Sequence, residues 1–71
     1  MKSDRPFDSL ISSIDNEIVA KLKDGIVYTG KLVSFDIHLN LVLDEAKEDD
    51  TKVEGKVLIR GDMISTIKNI K

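Results

Sequence analysis

Recognition chemistry is concentrated in one short stretch of this chain, FDIHLN, which follows an apolar alternating segment. Asp36, His38 and Asn40 alternate there with apolar residues. A carboxylate accepts hydrogen bonds, an imidazole stacks or titrates, and an amide both donates and accepts. A second polar interruption, IRGD at Ile59–Asp62, comes later in the chain. The functional question is therefore whether the two interruptions form one site.

Catalytic and metal-binding interpretations of the first interruption are disfavoured by geometry. Ser34, Asp36 and His38 have the residue types of a hydrolase triad, but a nucleophile and its base must meet at hydrogen-bond distance. In an extended strand alternate side chains lie about 6.6 Å apart. One His, one Asp and one Asn also leave a metal shell short of ligands. We therefore predict neither an enzyme nor a metal site.

Two other interpretations of these side chains remain. Asp36 suits a polar turn in which its carboxylate caps backbone N–H groups. His38 and Asn40 are planar groups, which suit stacking on a base and hydrogen bonding to its edge. In the second interruption, Arg60 could stack on a base or contact phosphate, or it could simply pair with Asp62. Gly61 allows the chain to turn between them.

Size and composition limit what the chain can be. Its 71 residues predict a single domain, 1–71, with a small core and no cysteine to reinforce it. Small domains of this kind often gain stability from partner subunits. No apolar run is long enough to span a bilayer, and the N-terminus has acids where a secretory signal would be apolar. We expect a cytoplasmic protein, with a nuclear location open where the cell has a nucleus.

The charge distribution argues against binding nucleic acid mainly through phosphate neutralisation. The formal net charge is −2, whereas such binding needs clustered Lys and Arg. Six acids and two lysines lie between Asp44 and Glu54, and the rest of the chain carries nine bases and seven acids. We predict that residues 44–54 form a solvated acidic loop.

The remaining pattern predicts the elements that must position these residues. A helix is expected over about residues 4–14, with Ser3 or Asp4 as N-cap. Its apolar stripe suits packing across a sheet better than a membrane surface; it comprises Phe7, Leu10, Ile11 and Ile14. Alternating segments then predict five strands. They cover 17–23, 26–35, 39–44, 55–60 and 63–67, and 68–71 form a polar tail.

Glycines indicate where these strands turn and bend. Asp24-Gly25 predicts a tight two-residue hairpin turn with positive φ at both positions. Gly30, in the middle of the long second strand, predicts a sharp bend or a close backbone approach. One helix followed by five antiparallel strands predicts an all-β fold, a small, strongly bent barrel. The fourth and fifth strands are the edges that a neighbouring subunit could pair with.

Both polar interruptions lie inside motifs of a known family. IVAKLKDGIVYTGKLVSFDIHLNLVLDEA, about 18–46, resembles the first motif of the Sm and Sm-like RNA-binding proteins, with landmarks at Gly25, Gly30, Asp36 and Asn40. VLIRGDMISTI, about 57–67, resembles the second motif. With the preceding helix they span nearly the whole chain. The residues FDIHLN and IRGD are similar to those of the archaeal members of the family.

The resemblance implies a fold and an assembly. The fold would be the Sm fold, a helix on a five-stranded SH3-like barrel. Subunits would pair the fourth strand of one copy with the fifth of the next, giving a closed homo-oligomeric ring, usually a heptamer in archaeal relatives. Such a protein would act in RNA processing or ribonucleoprotein assembly, with no cofactor and no membrane.

The resemblance also implies a binding site for single-stranded, uridine-rich RNA at the inner rim of the pore. His38 and Arg60 would sandwich a base, and Asn40 would read its edge while Asp36 holds it in orientation. Gly61 and Asp62 would shape the loop and add contacts. Weak sites repeated around a ring can add up, which answers the charge objection. The alternative is a ring-forming structural or protein-interaction module with little RNA binding. The acidic segment and the negative net charge favour this alternative.

Overall fold

The computed structural model describes residues 6–70, with side chains from Leu10 onward. Helix α1 spans Pro6–Ser13, inside the predicted range, whereas the expected N-cap and the side chain of Phe7 lie outside the described residues. Six strands and a short 3-10 helix follow. They are β1 Glu17–Leu22, β2 Val27–Phe35, β3 Leu41–Glu48, β4 Thr51–Lys52, β5 Val57–Ile59, the 3-10 helix Gly61–Met63 and β6 Ile64–Asn69.

All strand pairs are antiparallel and form one bent sheet. Its order is β4-β3-β2-β1-β6, with β5 pairing the first half of β3. The sheet does not close, because β5 and β6 do not pair with each other within the described chain. This helix and bent antiparallel sheet confirm the predicted fold class. β5 and β6, the strands expected to meet a neighbouring subunit, each have an open edge within the described residues.

The acidic segment differs from the expected loop. β3 continues to Glu48 and turns into the two-residue β4, where Lys47 pairs with Lys52. Two contacts hold this hairpin against β2: the Tyr28 hydroxyl lies 3.2 Å from Glu48 Oε1, and Asp49 Oδ1 accepts from the backbone N–H of Val27 at 3.2 Å. The prediction of five strands therefore missed a sixth, because acids that look solvated in the sequence bond to the neighbouring strand.

Alternation along the strands defines the core. Ile18, Ala20 and Leu22 of β1 are buried on one face. The core also includes residues from α1, β2, β3 and β5, namely Leu10, Leu32, Leu41, Leu43, Ala46 and Ile59. Burial of these aliphatic side chains is the main favourable term for so short a chain.

Gly30 lies where β2 and β3 shift register. Thr29 pairs with Lys47 but Lys31 pairs with Asp44, so two residues of β3 stand opposite Gly30. A Cβ on Gly30 would lie 3.0 Å from the Cα of Ala46. The predicted bend is thus a bulge, at which the missing side chain lets the two backbones approach.

Two boundaries differ from the sequence expectation. The β1–β2 turn has positive φ only at Gly25, because Asp24 Oδ1 accepts from the Ile26 N–H at 3.1 Å and fixes the turn another way. β6 extends to Asn69, where a polar tail was expected, since Ile18 pairs with Asn69 and the Ile70 N–H donates to the Glu17 carbonyl at 3.1 Å. No helix within residues 6–70 has the length and apolar character needed to cross a bilayer.

Candidate nucleic-acid interface

The loop between β2 and β3 is organised by the carboxylate of Asp36. Its Oδ1 accepts from the backbone N–H groups of His38 at 2.9 Å and Asn40 at 3.0 Å. Its Oδ2 accepts from Asn40 Nδ2 at 3.0 Å. The Leu39 N–H donates to the Asp36 carbonyl at 3.0 Å, which closes a tight turn. The turn predicted from the residue types is therefore present, with Asp36 at its centre.

Asn40 joins this loop to the second polar interruption. Its Oδ1 accepts from the Gly61 N–H at 2.8 Å, while its Nδ2 donates to Asp36. A backbone donor on one side and a carboxylate on the other fix which amide atom is oxygen and which is nitrogen. Nδ2 carries two hydrogens and gives one to Asp36, so the other is available to a ligand.

Gly61 is tightly seated against the same loop. A Cβ built at this position would overlap the His38 carbonyl oxygen and lie 2.9 Å from the carbonyl carbon of Leu39. Any side chain at this position would force the two loops apart. The glycine is thus required by the close approach of two backbones.

An open hollow lies on the outer side of this junction. It is lined by His38, Asn40, Leu58, Arg60 and Asp62. Arg60 Nη2 lies 3.1 Å from Asp62 Oδ2, and both side chains are largely exposed, at 74% and 65%. A pair so exposed contributes little stability, about 0–1 kcal/mol. It does limit the directions in which the guanidinium plane can lie.

All six predicted residues are thus connected: four line the hollow, and Asp36 and Gly61 are each hydrogen-bonded to Asn40. Sequence reasoning missed Leu58, which is 68% exposed and borders the hollow. The alternation of Leu58 with the inward-facing Val57 and Ile59 was the sequence signal that could have indicated its exposure. It also missed the positive φ of 63° at Leu39, for which a non-glycine residue gives no signal.

The electrostatics of the loop depend on Asp36. The pKa of this carboxyl is lowered from its ordinary 3.8, first by the side-chain hydrogen bond from Asn40 and then by backbone N–H donors. The charged form accepts all of these bonds, so they favour ionisation. Within residues 6–70, no group of three or more His, Cys, Asp or Glu residues is placed to hold a metal ion.

The lowered pKa gives a testable pH dependence. A carboxyl with a depressed folded-state pKa contributes stability that is present above its unfolded pKa and is lost as pH falls through the folded pKa. We expect the loop to keep its structure at pH 5 and to lose it only below the ordinary value of 3.8. NMR titration of the Asp36 carboxyl carbon and the Asn40 Nδ2 protons measures this. The same transition in an Asp36→Asn protein would contradict the assignment.

Comparison with known proteins agrees with this geometry. The model of the LSM domain family matches residues 8–69, which include both loops. The chain belongs to the LSM domain family. Relatives named as snRNP Sm-like proteins include one from Thermococcus sibiricus, 40% identical over 97% of this chain and 96% of its own. One from Pyrococcus furiosus is 41% identical over 92% and 91%.

Solved Sm structures share the fold of this LSM domain. The Pyrococcus abyssi Sm protein in complex with a uridine heptamer superposes with a TM-score of 0.87 at 35% identity, covering 93% of this chain and 99% of that one. A heptameric archaeal Sm protein gives a TM-score of 0.81 at 33% identity, covering 90% and 98%. The Pyrobaculum aerophilum SmAP1 heptamer gives 0.86 at 30% identity, covering 99% of each chain.

Proposed function

We propose that this protein forms a ring that binds single-stranded, uridine-rich RNA, one nucleotide in the hollow of each subunit. The observation that carries the proposal is the hydrogen-bond chain Asp36–Asn40–Gly61. It joins the two motifs and holds the Asn40 amide in the hollow that His38 and Arg60 also line. The uridine heptamer bound by the Pyrococcus abyssi Sm protein supports the choice of ligand.

The Asn40 amide suits the edge of uracil. The remaining Nδ2 hydrogen can donate to a uracil carbonyl, and Oδ1 has a second lone pair for the N3–H group. Adenine and cytosine carry an exocyclic amino donor where uracil has its O4 acceptor, so Nδ2 would face another donor. We assign Asn40 as the reader of the base and Asp36 as the residue that orients it. Asp62 positions Arg60.

Stacking supplies the part of the binding that does not depend on base identity. His38 and Arg60 come from different loops and line one hollow. Both have planar side chains that can stack on a base. Such stacking contributes about 1–3 kcal/mol per base. Repetition around a ring multiplies weak contacts through effective concentration, so a net charge of −2 is compatible with RNA binding.

The open sheet edges support the ring. β5 and β6 each have one unpaired edge within the described residues, and pairing β5 of one copy with β6 of the next is a head-to-tail contact. Head-to-tail contacts give closed rings when their rotation closes. The solved heptamers of archaeal relatives favour seven subunits.

Binding of fluorescent oligo-uridine and oligo-adenosine of equal length tests the proposal, with Asn40→Ala alongside. Wild-type protein should prefer oligo-uridine. The variant should lose about tenfold or more, because an unpaired hydrogen-bonding group costs about 1–3 kcal/mol and tenfold corresponds to 1.4 kcal/mol. Equal affinity for both RNAs, unchanged in the variant, would refute the uridine pocket. A ring that binds neither RNA would favour the structural-module alternative.

The role we propose is non-catalytic and cytoplasmic, in RNA processing or ribonucleoprotein assembly. The family is one of Sm-like proteins and is not an enzyme family. The geometry of the loop supports a binding role, since the hydrogen bonds of Asp36 hold the loop and do not activate a nucleophile.

A further inference from the structure

A second cavity is lined by residues from the same two loops that form the RNA site. This groove runs between α1, the loop that carries Leu39, and β6. Its apolar lining comes from Leu10, Leu39, Ile64 and Ile67. The rest of the wall is Gly61 and four polar residues, Ser13, Ser65, Thr66 and Asn69. Two of these residues belong to the RNA loops themselves. Leu39 lies between His38 and Asn40, and Gly61 donates its N–H to Asn40 Oδ1.

Leu39 has a conformation that its surroundings must maintain. Its φ of 63° lies in the left-handed region, which is costly for a side chain that cannot bond its own backbone. Positions like this persist where neighbouring structure over-determines them. The Leu39 side chain lies in the groove and packs against the core, whereas the side chains of His38 and Asn40 line the hollow. Whatever covers the groove therefore presses on the residue that separates the two RNA contacts.

The groove lies along an unpaired sheet edge, which identifies its occupant. β6 forms one wall of the groove, and its outer edge is unpaired within residues 6–70. A second copy that adds its β5 to this edge comes to lie beside the groove. β5 carries Leu58, 68% exposed, and Met63 follows it at 39%. These apolar side chains match the apolar part of the groove.

We propose that a second copy of the chain fills this groove and, by packing on Leu39, holds the RNA loop in its binding conformation. Leu39 is a positioning residue, since it acts through His38 and Asn40. The inference rests on the proposed function and deepens it: ring closure adds avidity and also completes each individual site. An isolated subunit would bind even a single nucleotide poorly.

Uridine monophosphate separates these two effects, because a single nucleotide gains nothing from multivalency. Ser65 is exposed, lines the groove and has no role in the hollow, so Ser65→Arg places a long side chain where the neighbour would pack. Ser34→Arg is the matched control, because Ser34 is an exposed serine on β2 outside the groove. Both changes add the same charge, which by itself favours RNA.

The expected result combines mass and affinity. Sedimentation should give a ring for wild type and Ser34→Arg and a monomer for Ser65→Arg, and the monomer should bind uridine monophosphate at least tenfold more weakly per site. Equal affinity of monomer and ring would overturn the inference. An intact Ser65→Arg ring of wild-type affinity would also overturn it, because something other than a second copy would then cover the groove. If wild type binds no uridine at all, the proposed function itself fails.

A second variant covers the case in which Ser65→Arg does not fold. Leu39→Ala removes the side chain that fills the groove from within, and Leu39→Met restores most of its volume. We expect Leu39→Ala rings of wild-type mass with at least fivefold weaker uridine monophosphate binding, and recovery in Leu39→Met. Unchanged affinity in intact Leu39→Ala rings would refute the positioning role.

Discussion

Replacing Gly61 with alanine is expected to abolish uridine binding while the β-sheet still folds. The added Cβ would overlap the His38 carbonyl oxygen and lie 2.9 Å from the carbonyl carbon of Leu39. Both contacts are backbone, so no flexible side chain can move aside. The loops must separate, which breaks the 2.8 Å hydrogen bond from the Gly61 N–H to Asn40 Oδ1. Asn40 then loses the partner that fixes its amide, and Arg60 moves away from His38.

The expected size of the Gly61→Ala effect distinguishes loss of the site from loss of stability. Overpacking of this kind costs about 1–3 kcal/mol of folding free energy. The two-sided stack and the oriented amide fail together, so we expect affinity for oligo-uridine to fall by at least about a hundredfold, or 2.7 kcal/mol. Fluorescence anisotropy with oligo-uridine and a urea titration measure the two quantities on one protein.

Gly55→Ala is the matched control. Gly55 has a φ of 78°, and a Cβ there would meet no atom within 4 Å. The substitution should therefore cost about 1–2 kcal/mol through backbone strain alone. It should leave RNA binding intact, because the residue lies outside the hollow. If Gly55→Ala weakens binding as much as Gly61→Ala does, the effect is general destabilisation and the seating of Gly61 is not specific.

The parts of the molecule that follow a simple period could be predicted from the sequence. Alternation puts Ile18 and Ala20 on one face of β1 and Leu41 and Leu43 on one face of β3, and all four are fully buried. Period two determines which face of a strand is apolar, so the pattern carries that information directly. The position of Gly30 likewise indicated a close backbone approach, which the bulge confirms.

Features that depend on specific hydrogen bonds could not be predicted in this way. β4 is only Thr51–Lys52, and it forms because the hairpin that carries it bonds to β2 through Glu48 and Asp49. A run of acids gives no sign of such partners. The positive φ of Leu39 could not be predicted from the sequence either, since it is imposed by the turn around Asp36. Sequence therefore indicated the residue types of the site, and the geometry supplied the contacts between them.

Replacing Asn40 with aspartate is expected to make uridine binding weak at neutral pH and stronger as the pH falls. The two side chains have nearly the same shape, so Oδ1 can still accept from the Gly61 N–H. At the other position a carboxylate oxygen would replace Nδ2, 3.0 Å from the Asp36 carboxylate. Two carboxylates so close cannot both ionise readily, and the pKa of one is raised. At neutral pH the variant therefore lacks the donor for uracil and has a repulsive contact in the loop.

Acidification should then help the variant, whereas the wild type should lose binding only at still lower pH. As pH falls through the raised pKa of the pair, one carboxyl becomes protonated and donates the hydrogen bond that Nδ2 gave, so the loop and part of the affinity recover. In wild type the depressed pKa of Asp36 means that binding weakens only when pH falls through that low value. The apparent pKa belongs to the pair rather than to either residue.

Oligo-uridine binding between pH 4 and 8 for wild type, Asn40→Asp and Asn40→Ala makes this comparison. We expect affinity of Asn40→Asp to be at least tenfold below wild type at pH 7, and the gap to narrow as pH falls. Asn40→Ala has no second carboxyl and should show no recovery. Parallel pH profiles for Asn40→Asp and Asn40→Ala would mean that the contact between Asp36 and Asn40 does not orient the base-reading amide.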